Sequence, residues 1–255
     1  GPADSLYLRR ALGIGSSPAF DVTTTTVTSF RAQDLMGRQV VVLNDAGPPT
    51  GQAGAALQEF IENGGGLLVV AGERSEWPTD GPDLLPGPFG RPVDRAGRGA
   101  GLGFVDYSHP VFELFSAPRS GDVTTARFFR YRPIEVDEST SVIARFDDGS
   151  PALLEHRVNS GRVFFWASTL DNFWNDLALK PVYLPFVHRL IEYLADYSPS
   201  QPWVFAGQVL NLAEQDGLLA STGLSDADLV AIAPSGDRIP VSEGARSGFL
   251  TMTEQ

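Results

Sequence analysis

Two carboxylates, two amides and two aromatic rings fall within Asp171-Asn172-Phe173-Trp174-Asn175-Asp176, immediately after the apolar run Val163-Phe164-Phe165-Trp166-Ala167. Carboxylates so closely spaced can hold a hard cation or act as acid and base. Asn172 and Asn175 with Trp174 could instead hold a sugar or a peptide. The competing structural reading is that Asp171 or Asp176 caps backbone N–H groups while the rings pack under a helix. No histidine, lysine or activated nucleophile stands within the cluster, which argues against catalysis by it alone.

Further candidates lie at the ends of two other apolar runs. Val40-Val41-Val42-Leu43 leads into Asn44-Asp45, and Leu67-Leu68-Val69-Val70 leads into Ala71-Gly72-Glu73. In open α/β sheets the crevice past the carboxyl ends of the strands is where ligands bind. Of the three histidines, His109 precedes a proline at an expected helix start and is a site candidate; His156 and His188 read as structural. Their separation shows no metal spacing.

These positions need strands and helices to bring them together. The spacing of Ala53, Leu57, Phe60 and Ile61 predicts a helix that stops at Asn63-Gly64. With the strands on either side it makes a parallel, right-handed crossover. A short helix is predicted over Ser5–Leu12, another over Val111–Phe115, and a long one from Pro181 to Tyr197. Strands are predicted at Phe20–Phe30, where threonine is abundant, and at Thr124–Val136, Ser141–Phe146, Ala152–Val158 and Arg162–Ala167. The Gly-, Pro- and Arg-rich stretch from Trp77 to Gly103 reads as a long irregular connection. Ser198–Pro202 reads as a linker, followed by strands at Trp203–Leu212 and Asp228–Ala233.

Several chemistries drop out. The chain has 255 residues, a formal charge of −12 and no cysteine. That charge disfavours nucleic acid and anionic membranes. Without cysteine there is no disulfide scaffold, thiolate zinc site or thiol nucleophile. Gly64-Gly65-Gly66 precedes a strand, so it is a helix stop rather than a phosphate loop. The glycines from Gly97 to Gly103 do not fit a dinucleotide fingerprint, and no G-x-S-x-G elbow is present. Asp147-Asp148-Gly149 reads as turn chemistry. Neither a metal nor a cofactor is expected. No membrane span is visible. The opening Gly1-Pro2 looks like what a protease leaves after removing a tag, so the natural chain is expected to extend at both ends.

Several motifs occur together in one order: Val41–Asp45, Gly65–Val69, Asp106–Phe112, Arg127–Tyr131, Leu170–Leu177 and Lys180–His188. Over about residues 4 to 212 they resemble the C-terminal extracytoplasmic region of bacterial membrane proteins related to the aerotolerance protein BatA. The resemblance implies an α/β fold of flavodoxin-like, class I glutamine amidotransferase-like layering, with helices on both faces of the sheet. That domain would span residues 1–200, with a small, partial β unit over 201–255. The cysteine, histidine and glutamate of active amidotransferases have no counterpart here: Ala71-Gly72-Glu73 and Thr169-Leu170-Asp171 stand at those places. The resemblance therefore implies a pseudoenzyme, periplasmic or cell-surface, carried by a membrane-anchored parent. Implied partners are a von Willebrand factor A domain of the parent chain, related Bat proteins and, functionally, a MoxR-type ATPase.

The first functional expectation is thus a non-catalytic interaction or ligand-sensing domain whose crevice holds Asn44, Asp45, Glu73 and Asp171–Asp176. One alternative is a metal- or carboxylate-dependent hydrolase using Asp171, Asp176 or Glu73. Another is a glycan-binding module with Trp174 and Trp77 as stacking platforms.

Overall fold

Gly66–Val70 (β2) is buried at every position, as an unbroken apolar run must be in a strand covered on both faces. In this computed structural model, residues 5–15, 18–78, 84–117, 119–136 and 140–197 are described, with short strand stretches at 209–210, 230–232, 238–240 and 250–251. β2 pairs in parallel with Val40–Asn44 (β1) on one side and Gly161–Trp166 (β8) on the other. Pro151–Val158 (β7), Ser141–Phe146 (β6) and Leu102–Val105 (β4) continue the sheet antiparallel, giving the order β1-β2-β8-β7-β6-β4. Val93–Asp94 (β3) and Arg130–Tyr131 (β5) form a separate antiparallel ribbon.

Register decides where the site lies. Asn44 pairs with Val70, and Val70 with Trp166, so the three parallel strands end flush. Asp45, Ala71-Gly72-Glu73 and Ala167-Ser168-Thr169 therefore leave the sheet along one rim.

Helices flank this mixed, open sheet. Gly51–Glu62 (α2) buries Leu57 and Ile61 and ends at Asn63, with Gly64 at φ +106°. Tyr183–Leu194 (α4) buries Phe186, Val187, Leu190, Ile191 and Leu194 on one face. Leu6–Leu12 (α1) and Pro110–Glu113 (α3) pack against α4, where Phe112 stacks on Phe186 at 5.7 Å. Trp166, Phe164 and Phe165 fill the centre of the core.

Some expectations change. No strand forms over Phe20–Phe30: the threonines are exposed, and Thr26 closes a turn by accepting from Ser29 N–H. Strand propensity without a neighbouring strand to pair with does not make a strand. The strand expected over Thr124–Val136 shrinks to β5, after a short 3-10 turn at Val123–Thr125. β1 is an edge strand with only Leu43 fully buried, and α4 starts two residues after Pro181. The stretch read as irregular contains β3 and ends in β4.

The chain divides into two compact units, Gly1–Tyr197 and Ser198–Gln255. In the second, Val209–Leu210 (β9) pairs antiparallel with Leu250–Thr251 (β12), and Val230–Ile232 (β10) with Arg238–Pro240 (β11). The expected linker and the rest of the two expected strands lie outside the described residues.

Candidate functional site

Asp45 turns the chain as it leaves β1, at φ +48°, a left-handed conformation that Asp tolerates better than most residues. Its carboxylate reaches across to the loop after β2. Oδ1 accepts the backbone N–H of Arg74 at 2.7 Å, and Oδ2 accepts from the Arg74 Nε and Nη2 at 2.9 Å each. Gly72 fits against this carboxylate so closely that a Cβ there would sit 2.3 Å from Oδ1. Ser75 completes the turn: its Oγ accepts from Gly72 N–H at 2.7 Å and donates to Gly72 O at 3.0 Å.

Arg132, 8% exposed, ties the same loop down from the other side. Its Nε donates to Gly72 O at 2.7 Å, Nη2 to Glu73 O at 3.0 Å and Nη1 to Gly90 O at 3.1 Å. Burial lowers its affinity for the proton, and the nearby charges of Glu73, Asp45 and Glu76 offset part of that. A buried guanidinium caged by carbonyl dipoles fixes the loop that follows the central parallel strand.

Above this layer Arg130 Nη1 donates to Glu73 Oε2 at 2.9 Å, with the two side chains 37% and 63% exposed. The guanidinium lies over the Trp174 ring, 5.1 Å from its centre. Trp174 is itself 5% exposed, so it supports an arginine and is no open platform for a sugar. Trp77 is half-buried and packs against the core.

The cluster after β8 is engaged in its own loop. Asp171 is buried and accepts the N–H of Phe173 at 2.9 Å. Asp176 accepts from Arg127 N–H at 2.7 Å and pairs with Lys180 at 2.9 Å. Asn175, also buried, donates to Thr169 O at 2.7 Å and Ser168 Oγ at 3.0 Å, and accepts from Leu177 N–H at 3.0 Å. The Tyr183 hydroxyl donates to Leu170 O at 2.6 Å; burial, then the charge of Asp171, push its pKa well above the usual phenol value. Asn172 is exposed.

The structure thus brings Asp45 and Glu73 to one rim with Trp174, linked through Arg74, Arg130 and Arg132. Asn44 ends β1 beside them. His109 stands elsewhere, capping α3 and touching Glu155 on β7. Arg74, Arg130 and Arg132 escaped the sequence reading; Arg130 and Arg132 lie in a run read as plain strand, and nothing in their spacing marks them. No group of three or more metal-binding side chains occurs among the described residues.

No family model matches this chain, and no curated protein does. Solved structures do share its fold. A cytoplasmic protein from Salmonella typhimurium, STM3548, is 18% identical over 74% of this chain and 86% of its own, with a TM-score of 0.61. A second cytoplasmic protein, STM1381 from Salmonella typhimurium LT2, is 19% identical over 74% and 86%, with a TM-score of 0.60. The cold-adapted β-galactosidase from Rahnella sp. R3 is 15% identical over 81% of this chain and 29% of its own, with a TM-score of 0.53.

These likenesses define an open, mixed α/β sheet flanked by helices, flavodoxin-like in its broad class. They overturn the finer expectations. The resemblance to the BatA-like region finds no family match, and two of the similar structures are cytoplasmic proteins. The amidotransferase-type identity, the membrane-anchored parent and the periplasmic or cell-surface placement fall with it, and so does the interaction-domain role built on them. The partners it implied had rested on that resemblance. Among the described residues no helix is long and apolar enough to cross a membrane.

Proposed function

We propose that this domain is a carbohydrate-associated module that holds a saccharide at the rim of its parallel strands and does not cleave it. The observation that carries this reading is the Glu73–Arg130 pair, seated on Trp174 and partly open to solvent where β1, β2 and β8 end together. A carboxylate and a guanidinium side by side offer acceptors and forked donors, a good match for neighbouring sugar hydroxyls. The likeness to a portion of a β-galactosidase supports the same substrate class. Binding is favoured over turnover because Asp45, Asp171 and Asp176 each accept a backbone N–H within the fold.

Calorimetric titration with galactose, lactose, glucose and cellobiose, repeated with Arg130→Ala, tests this. Heat of binding that disappears in the folded variant supports the reading. Saccharides that fail to bind, or bind equally to the variant, would sink it.

A second reading, a carboxylate-dependent glycoside hydrolase, is favoured by one observation: Glu73 is an exposed carboxylate at the carboxyl end of the central parallel strand. Release of nitrophenol from nitrophenyl glycosides, lost in Glu73→Gln, would replace binding with catalysis.

A further inference from the structure

Arg130 is fixed in place but only partly used. Ser168 Oγ donates to its carbonyl at 2.9 Å, and the Trp174 ring supports its guanidinium from below. A guanidinium has five N–H donors in a flat fork, suited to gripping a carboxylate at two points. Glu73 meets it at one, through Nη1. Its Nε is buried and has no acceptor among the described residues, a state that buried polar groups rarely keep.

The Glu73 side chain, by contrast, is 63% exposed and projects from a loop whose backbone is held by other groups, so it can leave Arg130 without disturbing the loop. A second positive charge stands close by: the Arg130 guanidinium works against the proton on Arg132, after the larger and opposite effects of Glu73, Asp45 and Glu76. Arg132 makes its hydrogen bonds to neutral carbonyls, so its charge is not cancelled by direct contact with an acid. Arg74, Arg130 and Arg132 stand here against Asp45, Glu73 and Glu76, so an incoming anion gains most where it takes the place of the exposed Glu73 carboxylate on Arg130.

Apolar surface lies beside it. Phe129 N–H donates to Trp174 O at 2.7 Å, which sets Phe129 next to the Phe173-Trp174 segment. Phe173 is 66% exposed and Phe129 38% exposed, while the intervening Trp174 is covered. The Phe129 ring lies over Gly99, whereas the exposed Phe173, next in sequence to the ring that carries Arg130, offers the C–H face of a pyranose something to rest on.

We propose that Glu73 is an internal stand-in for the carboxylate of the ligand, and that the rim takes a sugar acid of the uronate class. The ligand's carboxylate replaces that of Glu73 on Arg130 in a two-point contact, with its ring toward Phe173. This rests on the saccharide reading above and sharpens it from sugars in general to acidic ones. Glu73 then acts as a competitor that keeps the arginine from capturing small anions at random.

The test is calorimetric titration of the full chain with glucuronate, galacturonate, glucose, galactose and acetate, for the unaltered protein, Glu73→Gln and Arg130→Lys. Removing the competitor should tighten uronate binding roughly three- to fivefold, the range an exposed ion pair commands, and leave neutral sugars unchanged. Arg130→Lys, which keeps the charge but loses the fork, should weaken uronates about tenfold. Rising salt should weaken uronate binding to the unaltered protein and spare neutral sugars, an arm that needs no variant.

Uronates that bind no better than neutral sugars, or no tighter to Glu73→Gln, overturn this inference and leave the saccharide reading standing. Acetate binding as well as glucuronate would make the site one for simple carboxylates and overturn the sugar-acid assignment. If no sugar binds, acidic or neutral, both readings fail together.

Discussion

His109 Nε2 lies 3.3 Å from Glu155 Oε2, with the two side chains only 10% and 8% exposed. His109 Nδ1 accepts the N–H of Val111 at 3.2 Å as the cap of α3, so the ring proton sits on Nε2 and is donated to Glu155. Tyr193 from α4 donates to the same carboxylate at 3.1 Å, and its ring lies 4.7 Å from that of His109. One carboxylate on β7 thereby joins α3 and α4 to the sheet.

Glu155 makes the fold sensitive to acid. Burial raises its pKa, but hydrogen bonds from His109 and Tyr193, with the charge of Arg157, outweigh burial and hold it below the ordinary 4.5. A depressed folded-state value means the stabilisation is complete above the unfolded pKa and fades as pH falls through the folded one. Urea midpoints should therefore hold steady down to about pH 5 and then drop. Glu155→Gln should lose about 1–3 kcal/mol at pH 7, because Gln cannot accept both donors as a charged group. The gap between the two proteins should narrow below the ordinary carboxylate range; a gap that stays constant to pH 3 would show that charge on Glu155 is not what matters.

Arg132→Met should be among the more damaging single changes in the first unit. It leaves the carbonyls of Glu73 and Gly90 without their guanidinium donors, and Gly72 O with Ser75 Oγ alone. An unpaired buried acceptor costs about 1–3 kcal/mol and water can reach Glu73 O and Gly90 O, so with the lost packing a loss on the order of 2 kcal/mol is expected. Arg132→Lys should recover only part of it, since one ammonium cannot span three carbonyls set by a planar fork. Chemical denaturation measures both. A loss below about 0.5 kcal/mol for the methionine variant would mean that water takes over the cage.

Much of the sheet could be read directly. β2 and β8 are continuous apolar runs, and α2 shows its buried face through Leu57 and Ile61 and its end through Asn63-Gly64. The dense polar cluster at Asp171–Asp176 was equally visible, yet its side chains serve backbone N–H groups nearby, which spacing alone could not separate from ligand binding. The arginines were hidden for a different reason. Arg130 and Arg132 meet Glu73 and Gly72 across 57 and 60 positions of sequence, and a carbonyl acceptor carries no side-chain signature. Phe20–Phe30 was misread because a threonine-rich segment has strand character only when a partner strand lies alongside.

Asn175 should tolerate alanine better than aspartate. Its amide nitrogen donates to Thr169 O and Ser168 Oγ, and it is 2% exposed. Asn175→Ala removes those bonds at a cost of about 1–3 kcal/mol. Asn175→Asp instead points a buried carboxylate at the Thr169 carbonyl, so it should be worse by at least about 1 kcal/mol at pH 7. Burial raises such a carboxyl group's pKa, so the aspartate variant should regain stability as pH falls toward 5. Denaturation curves that rank the two the other way, or show no recovery, would place water beside residue 175.

Gly72 and Asp45 should be energetically coupled, because the space a Cβ needs at 72 is filled by the Asp45 carboxylate. That carboxylate cannot simply swing away: three donors of Arg74 hold it, and its own backbone sits at φ +48°. Gly72→Ala should therefore displace Asp45 from Arg74 and loosen the loop below Glu73, costing about 1–3 kcal/mol. Asp45→Gly removes the obstructing group while suiting the left-handed backbone, and loses the Arg74 contacts on its own account. In the double variant the alanine has room, so the second change should cost far less than it does alone, with a coupling of about 1 kcal/mol or more. Additivity to within about 0.5 kcal/mol would show that the loop yields elsewhere, and that Gly72 is required for its backbone rather than for the carboxylate it faces.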